Sequence, residues 1–155
     1  MKIEDEIHQK HFRNEHQRAA VNLLYSHSWL TTKIKQFLSE HDITMQQFNV
    51  LRILRGQHPE SISTSVIRER MLDRNSDASR IVDRLHKQEL VDKQPCPSDR
   101  RLVDVRISSK GLRLLENIDQ RQVEFDSFLS NISEDEAREL NRILDKIRSN
   151  PEELK

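Results

Sequence analysis

One cysteine, two glycines, four prolines and 5% aromatic residues among 155 positions leave this chain with few of the usual means of stabilising a small fold. The lone Cys96 excludes an internal disulfide. No run approaches the ~18 consecutive apolar residues of a membrane-spanning helix. The opening MKIEDEIHQKHFRNEHQR carries acids and no apolar core, unlike a secretory signal, so a cytoplasmic protein with no membrane partner is expected. Catalytic signatures are missing as well. There is no Gly-rich phosphate loop, no Gly-x-Ser-x-Gly elbow and no histidine–carboxylate set at ligand spacing, so neither an enzyme nor a cofactor is expected. His8, His11 and His16 lie three and five residues apart, which puts at most two on one helical face, and they read as polar surface rather than a metal site.

Net charge is also lacking, with 26 basic and 26 acidic residues. Taken as a total this argues against a nucleic-acid partner, but the charges are unevenly placed. Residues 64–110 carry 11 Lys and Arg against 8 Asp and Glu, and the flanks carry the compensating acids. Hydrophobic residues make up 34% of the chain, below the roughly 45–50% of an ordinary soluble domain. So lean a core predicts that a second subunit covers part of the apolar surface. The same composition, 34% charged and nearly free of glycine, favours long helices with solvated faces.

What is present concentrates in residues 75–108. Asn75 can cap a helix, and from there Ala78, Ile81, Val82 and Leu85 recur at three- and four-residue spacing, the stripe of an amphipathic helix. Ser79, Arg80, Asp83 and Arg84 fall on its other side. After Leu90 the period becomes two: Val103, Val105 and Ile107 alternate with Leu102, Asp104 and Arg106, a half-buried strand that pairs with residues 91–94 as a hairpin. The connection PCPSDRR is too long for a two-residue turn and holds two prolines, so it projects as a loop with Arg100 and Arg101 near its tip. A helix followed by a basic-tipped hairpin outlines a winged helix-turn-helix. The spacing of Asp99, Arg101 and Ile107-Ser108 resembles the Asp-x-Arg-x5-Leu-Thr wing signature of the MarR (multiple antibiotic resistance regulator) family, and the resemblance extends to the flanking helices.

Before this stretch, residues 4–41 contain no proline or glycine and carry a stripe of Leu23, His27, Leu30, Ile34 and Phe37/Leu38, which predicts one long helix whose first half is too polar to bury. Thr44 and Gln47 form a candidate capping box for a second helix with Phe48, Leu51 and Leu54 inward, closed by Gly56. Residues 61–63 allow a short third strand. Residues 64–72 predict a short helix with Val66, Ile67 and Met71 inward, and Asp73-Arg74 turns into the reading helix. Beyond the wing, Ser108 caps a long helix expected to run through Leu112, Leu115, Ile118, Phe125, Phe128 and Leu129. Ser133 and Glu136 box a last helix with Ala137, Leu140, Ile143, Leu144 and Ile147, ended by Pro151.

The expected fold is mainly α with a small antiparallel β-wing: one domain over residues 1–155, with a winged helix-turn-helix at 44–110. The family resemblance implies that the helices at 4–41 and 108–149 build a homodimer. A reading helix of this kind enters the major groove, making Ser76, Asp77, Ser79, Arg80 and Arg84 the candidate contacts, with Arg80 able to take guanine O6 and N7 together. Asp77 would favour the helix N-terminus, and Asp83 would hold an arginine in place. Arg100 and Arg101 suit the narrow minor groove. For Asp99 and Arg101 the resemblance implies an ion pair that orients the arginine. His27 interrupts an apolar stripe and reads first as a hydrogen-bonded core or interface histidine; with Tyr25 and Trp29 it is also the candidate lining of a pocket for a small aromatic or phenolic effector. Cys96 stands at the root of the cationic loop, where arginines lower a thiol pKa. Peroxide-sensing members of the family typically use a cysteine in the first helix, and here there is none.

The expected function is a bacterial transcriptional regulator, a repressor, that binds a pseudo-palindromic double-stranded operator. The rival reading is a dimer that keeps this fold for ligand sensing or protein interaction without binding DNA.

Overall fold

A computed structural model describes residues 1–97, 99 and 103–149. The chain divides into two compact units, Met1–Gln120 and Arg121–Lys155. Arg100, Arg101, Leu102 and Pro151 lie outside the described residues.

The first unit opens with a short helix α1, Ile3–Glu6, and a long helix α2, Glu15–Ser39. The single helix expected over residues 4–41 is therefore interrupted. Asn14 caps α2 by accepting a hydrogen bond from the Gln17 N–H, and the Gln17 side chain accepts one from the Arg13 N–H at 2.7 Å. Nothing apolar recurs at helical spacing between these elements, so capping outweighs continuation. The segment folds back: Ile3 is buried, Glu4 pairs with Arg18 at 2.8 Å, and the Tyr25 hydroxyl donates to Glu6 Oε2 at 2.7 Å.

Helix α3, Met45–Arg55, carries the expected capping box, with Thr44 and Gln47 exchanging side-chain and backbone bonds, and ends at Gly56. After a cis His58–Pro59 peptide, strand β1, Ile62–Ser63, leads directly into α4, Thr64–Arg70, which Ser63 caps. Helix α5, Ala78–Lys87, follows, then strands β2, Val91–Pro95, and β3, Val103–Ile107. The three strands form one antiparallel sheet in the order β1-β3-β2. Val105 stands opposite both Ile62 and Lys93, and Val91 opposite Ile107. The period-two pattern holds on one face, where Val91, Val105 and Ile107 are buried.

Helix α6, Ser109–Asp119, starts on the Ser108 cap as expected but does not run on to Leu129. The positions that would extend its inner stripe beyond Ile118 are Arg121 and Gln122, so no buried surface holds the helix together there. Arg55 of α3 pairs with Asp119 in its last turn at 2.5 Å.

The second unit contains α7, Gln122–Ser127, and α8, Glu134–Arg148, the latter opened by the predicted Ser133–Glu136 capping box. The Phe125 and Phe128 rings lie 5.7 Å apart. Helix α8 ends at Arg148 with Ser149 as its C-cap.

The core is confined to the first unit. Leu38, Val50, Leu51, Leu54, Ile67, Val82, Leu85, Val105 and Leu115 are fully enclosed, and among the described residues no side chain after Ile118 is buried. Where α6 enters this core it passes very close to the chain end of α5. A Cβ added at Gly111 would lie 2.3 Å from the Leu90 carbonyl oxygen and 2.8 Å from Ile107 Cγ1. The gain in helix propensity on replacing glycine by alanine, roughly 0.5–1 kcal/mol, is opposed by overpacking against backbone, roughly 1–3 kcal/mol. Gly111→Ala is thus expected to lower the urea midpoint of unfolding, and an unchanged or raised midpoint would show that α6 can shift away at little cost.

Candidate nucleic-acid interface

Helices α4 and α5 form the helix-turn-helix, and the connection between them is built from short polar groups. Asn49 of α3 accepts the Leu72 N–H on Oδ1 at 2.9 Å. Asp73 then folds the turn over itself, accepting from the Asn75 N–H at 3.0 Å and from the Ser76 hydroxyl at 3.0 Å. The helix cap is consequently Asp77 and not Asn75, since residues 73–76 are already committed to that turn. Asp77 Oδ1 accepts the Arg80 N–H at 3.0 Å, so the expectation that Asp77 favours the helix N-terminus holds.

The inner stripe of α5 is Ala78, Val82 and Leu85, all buried, with Ile81 half-buried beside them. Successive residues advance by 100° around the axis, which sends Ser79, Arg80, Asp83 and Arg84 to the opposite side, where all are exposed. Among the described residues the Arg80 and Arg84 guanidiniums make no hydrogen bond or ion pair. Asp83 instead bonds Lys93 Nζ of β2 at 2.5 Å. The arginine expected on Asp83 is therefore replaced by a lysine from the wing: strand β2 lies against α5, and Lys93 is the cation that reaches it. That hydrogen bond and the adjacent ammonium charge hold the Asp83 carboxyl below its ordinary range. Across the hairpin, Arg106 Nε meets Asp92 at 3.2 Å, directly opposite in register.

Asp99 and Cys96 are both half-buried. The Asp99–Arg101 pairing and the placement of Arg100 lie outside the described residues. The candidate effector residues separate. Tyr25 and Trp29 line a shallow groove of about 250 Å³ along α2 with Ser28, Thr32, Lys33 and Gln36. His27 is not part of that lining; its Nε2 stands 3.5 Å from the Thr31 hydroxyl. The bond to Glu6 pushes the Tyr25 phenol pKa up.

Sequence reasoning missed Asn49, Lys93 and Gln88 as supports of this surface. Their partners lie 10 to 46 residues away in the chain, and only Gln47 carried a local signal, its place in the capping box.

A sequence model of the MarR family matches residues 41–102. The HTH-type transcriptional repressor IacR of Pseudomonas putida is 30% identical over 129 residues, spanning 83% of this chain and 76% of that protein. The chain belongs to the MarR family. The HTH-type transcriptional regulator MhqR of Bacillus subtilis is 26% identical, covering 78% of this chain and 83% of its own. Among solved structures, a mutant of the Escherichia coli MarR complexed with operator DNA is 25% identical, spans 89% of this chain and 99% of its own, and superposes with a TM-score of 0.77. The MarR transcription factor of Planctomyces limnophilus is 29% identical over 87% of this chain and 98% of its own, with a TM-score of 0.69. This MarR-family chain is accordingly a winged helix-turn-helix transcriptional regulator, mainly helical with a small three-stranded wing sheet.

The Asp83–Lys93 link has a pH signature. Because the folded-state pKa of Asp83 is depressed, its contribution to stability is present above the unfolded carboxylate value of about 3.9 and is lost as pH falls through the folded value. Stability measured for wild type minus Asp83→Asn should be constant near neutrality and shrink as the solution is acidified through that window. A difference that does not change with pH would assign the link no role.

Proposed function

We propose that this MarR-type regulator acts as a homodimeric repressor in the cytoplasm, binding a pseudo-palindromic operator with α5 of each subunit in the major groove and each wing in the adjacent minor groove. The observation that carries the reading is the outer face of α5: Ser79, Arg80 and Arg84 stand exposed on a helix whose inner face is locked into the core and whose N-terminus is fixed by Asp77. Arg80 reads a guanine by its O6 and N7, while Ser76, whose hydroxyl is engaged by Asp73, and Asp77 act mainly by shaping the turn. Arg100 and Arg101, with Asp99, supply the wing's contact. That the similar E. coli MarR structure was solved with operator DNA supports the choice of DNA as the partner.

Exposed apolar stripes support a second copy. Leu24 of α2 is 70% exposed, and Leu140, Ile143 and Ile147 of α8 are 42–53% exposed. Apolar stripes of this kind are covered in a stable assembly. Helices at 4–41 and 108–149 are the surfaces we assign to the dimer, leaving 44–110 as the reading module. A small aromatic or phenolic effector is accommodated by the Tyr25–Trp29 groove, with His27 on an adjoining face, and releases DNA by favouring a different separation of the two reading helices.

Selection of bound duplexes from a random pool, at stated salt, tests the reading. The expected product is a two-fold-related pair of half-sites centred about one helical turn apart, taking two chains per duplex. Arg80→Ala should cost roughly 1–3 kcal/mol of discrimination at one base pair in each half-site. Failure of the wild-type chain to enrich any duplex would favour the rival, a dimeric module of this fold that senses ligands or binds proteins without DNA.

A further inference from the structure

Two helix ends in the first unit share the same unusual stop. At the end of α2, the Asp42 N–H bonds the Ser39 carbonyl and the Ile43 N–H bonds the Leu38 carbonyl. At the end of α5, the Glu89 N–H bonds the His86 carbonyl and the Leu90 N–H bonds the Leu85 carbonyl. Both are the paired-bond stop that normally places glycine at the left-handed position. Here acidic residues occupy it, Asp42 at φ 56° and Glu89 at φ 62°. L-residues hold that conformation only where the surroundings impose it, and the two stops are bonded to each other.

The bonds run through two amides whose orientation is fixed at each step. Gln47, 6% exposed, accepts the Thr44 N–H on Oε1 at 2.9 Å, which turns its Nε2 outward to donate to Gln88 Oε1 at 2.8 Å. Gln88 Nε2 then donates to the Asp42 carbonyl at 3.3 Å. From the other side, Lys110 of α6 donates to the Gln88 carbonyl at 2.8 Å and meets Glu89 Oε2 at 3.2 Å. The Ser108 hydroxyl donates to the Glu89 carbonyl at 2.7 Å. The last turn of the reading helix is thus held by the corner between α2 and α3 and by the first turn of α6.

We infer that Gln88 is a positioning residue: with Gln47, Asp42 and Lys110 it fixes the angle at which α5 is carried by the flanking helices, and so sets the half-site spacing that the dimer accepts. It touches no DNA itself. The inference rests on the operator-binding reading above and assigns to it the element that makes spacing selective. Movement of α2 or α6 reaches α5 through this junction, because its bonds join the α2–α3 corner, the end of α5 and the first turn of α6.

The test uses the full-length chain and the duplex selected by wild type, together with versions carrying one base pair inserted or removed at the centre, a displacement of about 3.4 Å. Gln88→Met keeps the side chain's length and removes both amide bonds. Gln88→Glu still accepts from Gln47 but cannot donate to Asp42, and serves if the first variant folds poorly. Wild type should prefer the native spacing, and both variants should lose that preference by roughly fivefold to tenfold, the scale of one hydrogen bond. Their salt dependence should stay unchanged, because phosphate contacts are retained. Amide hydrogen exchange without DNA gives an independent readout: Glu89 and Leu90 should exchange about tenfold faster in both variants, while Arg80→Ala leaves them unchanged. Retention of the wild-type spacing preference, or unchanged exchange at residues 89 and 90, would overturn the inference. If wild type selects no duplex the operator reading fails, and the exchange experiment alone then decides the junction.

Discussion

The burial of Ala78, Val82 and Leu85 on the inner side of α5 is the contact on which the reading surface depends. A helix of 10 residues is marginal by itself in water, so α5 exists because α3, α4 and β2 receive that stripe. Once the stripe is enclosed, the rotation of the helix is settled, and with it the outward direction of Ser79, Arg80, Asp83 and Arg84. The polar bonds around it then complete the placement: Asp77 caps the leading end, Asp83 meets Lys93 from the wing strand, and Gln88 anchors the trailing end. A surface this well constrained suits recognition of a rigid target, because little side-chain or backbone freedom is left to lose on binding.

The same core ends abruptly. Among the described residues nothing beyond Ile118 is buried, and the stripes on α2 and α8 remain open to solvent. A chain that is 34% hydrophobic has spent its apolar residues on the reading module and on surfaces that suit a second copy. Net neutrality fits this division: the basic excess lies in residues 64–110 and the acidic excess in the flanks, so a basic surface need not make the whole protein basic.

Features governed by neighbours in sequence were readable before the fold was known. The Thr44–Gln47 and Ser133–Glu136 capping boxes, the α5 stripe and the alternation in β3 each follow from spacings of two to four residues. The wing signature needed only Asp99, Arg101 and Ile107-Ser108. What escaped were competitions and distant partners. Asn14 starts a separate helix because capping outweighs a polar continuation. Asn75 loses the cap of α5 to Asp77 because Asp73 takes residues 73–76 into a turn, and the helix expected to reach Leu129 ends at Asp119 where Arg121 and Gln122 interrupt its stripe. The lysine partner of Asp83 and the Gln47–Gln88 amide chain join residues 10 and 41 positions apart. No local pattern encodes such pairings, since they exist only once the elements have packed.

The proposed contact of Arg80 with a base edge from the outer face of α5 is tested atom by atom by replacing guanine with 7-deazaguanine in the selected duplex. Removing the N7 acceptor at a single guanine in each half-site should weaken binding of the wild-type chain and leave Arg80→Ala unaffected, because the variant has already lost the donor. Equal sensitivity of the two proteins at every guanine, or no sensitivity in either, would contradict the assignment of Arg80 as the reading residue.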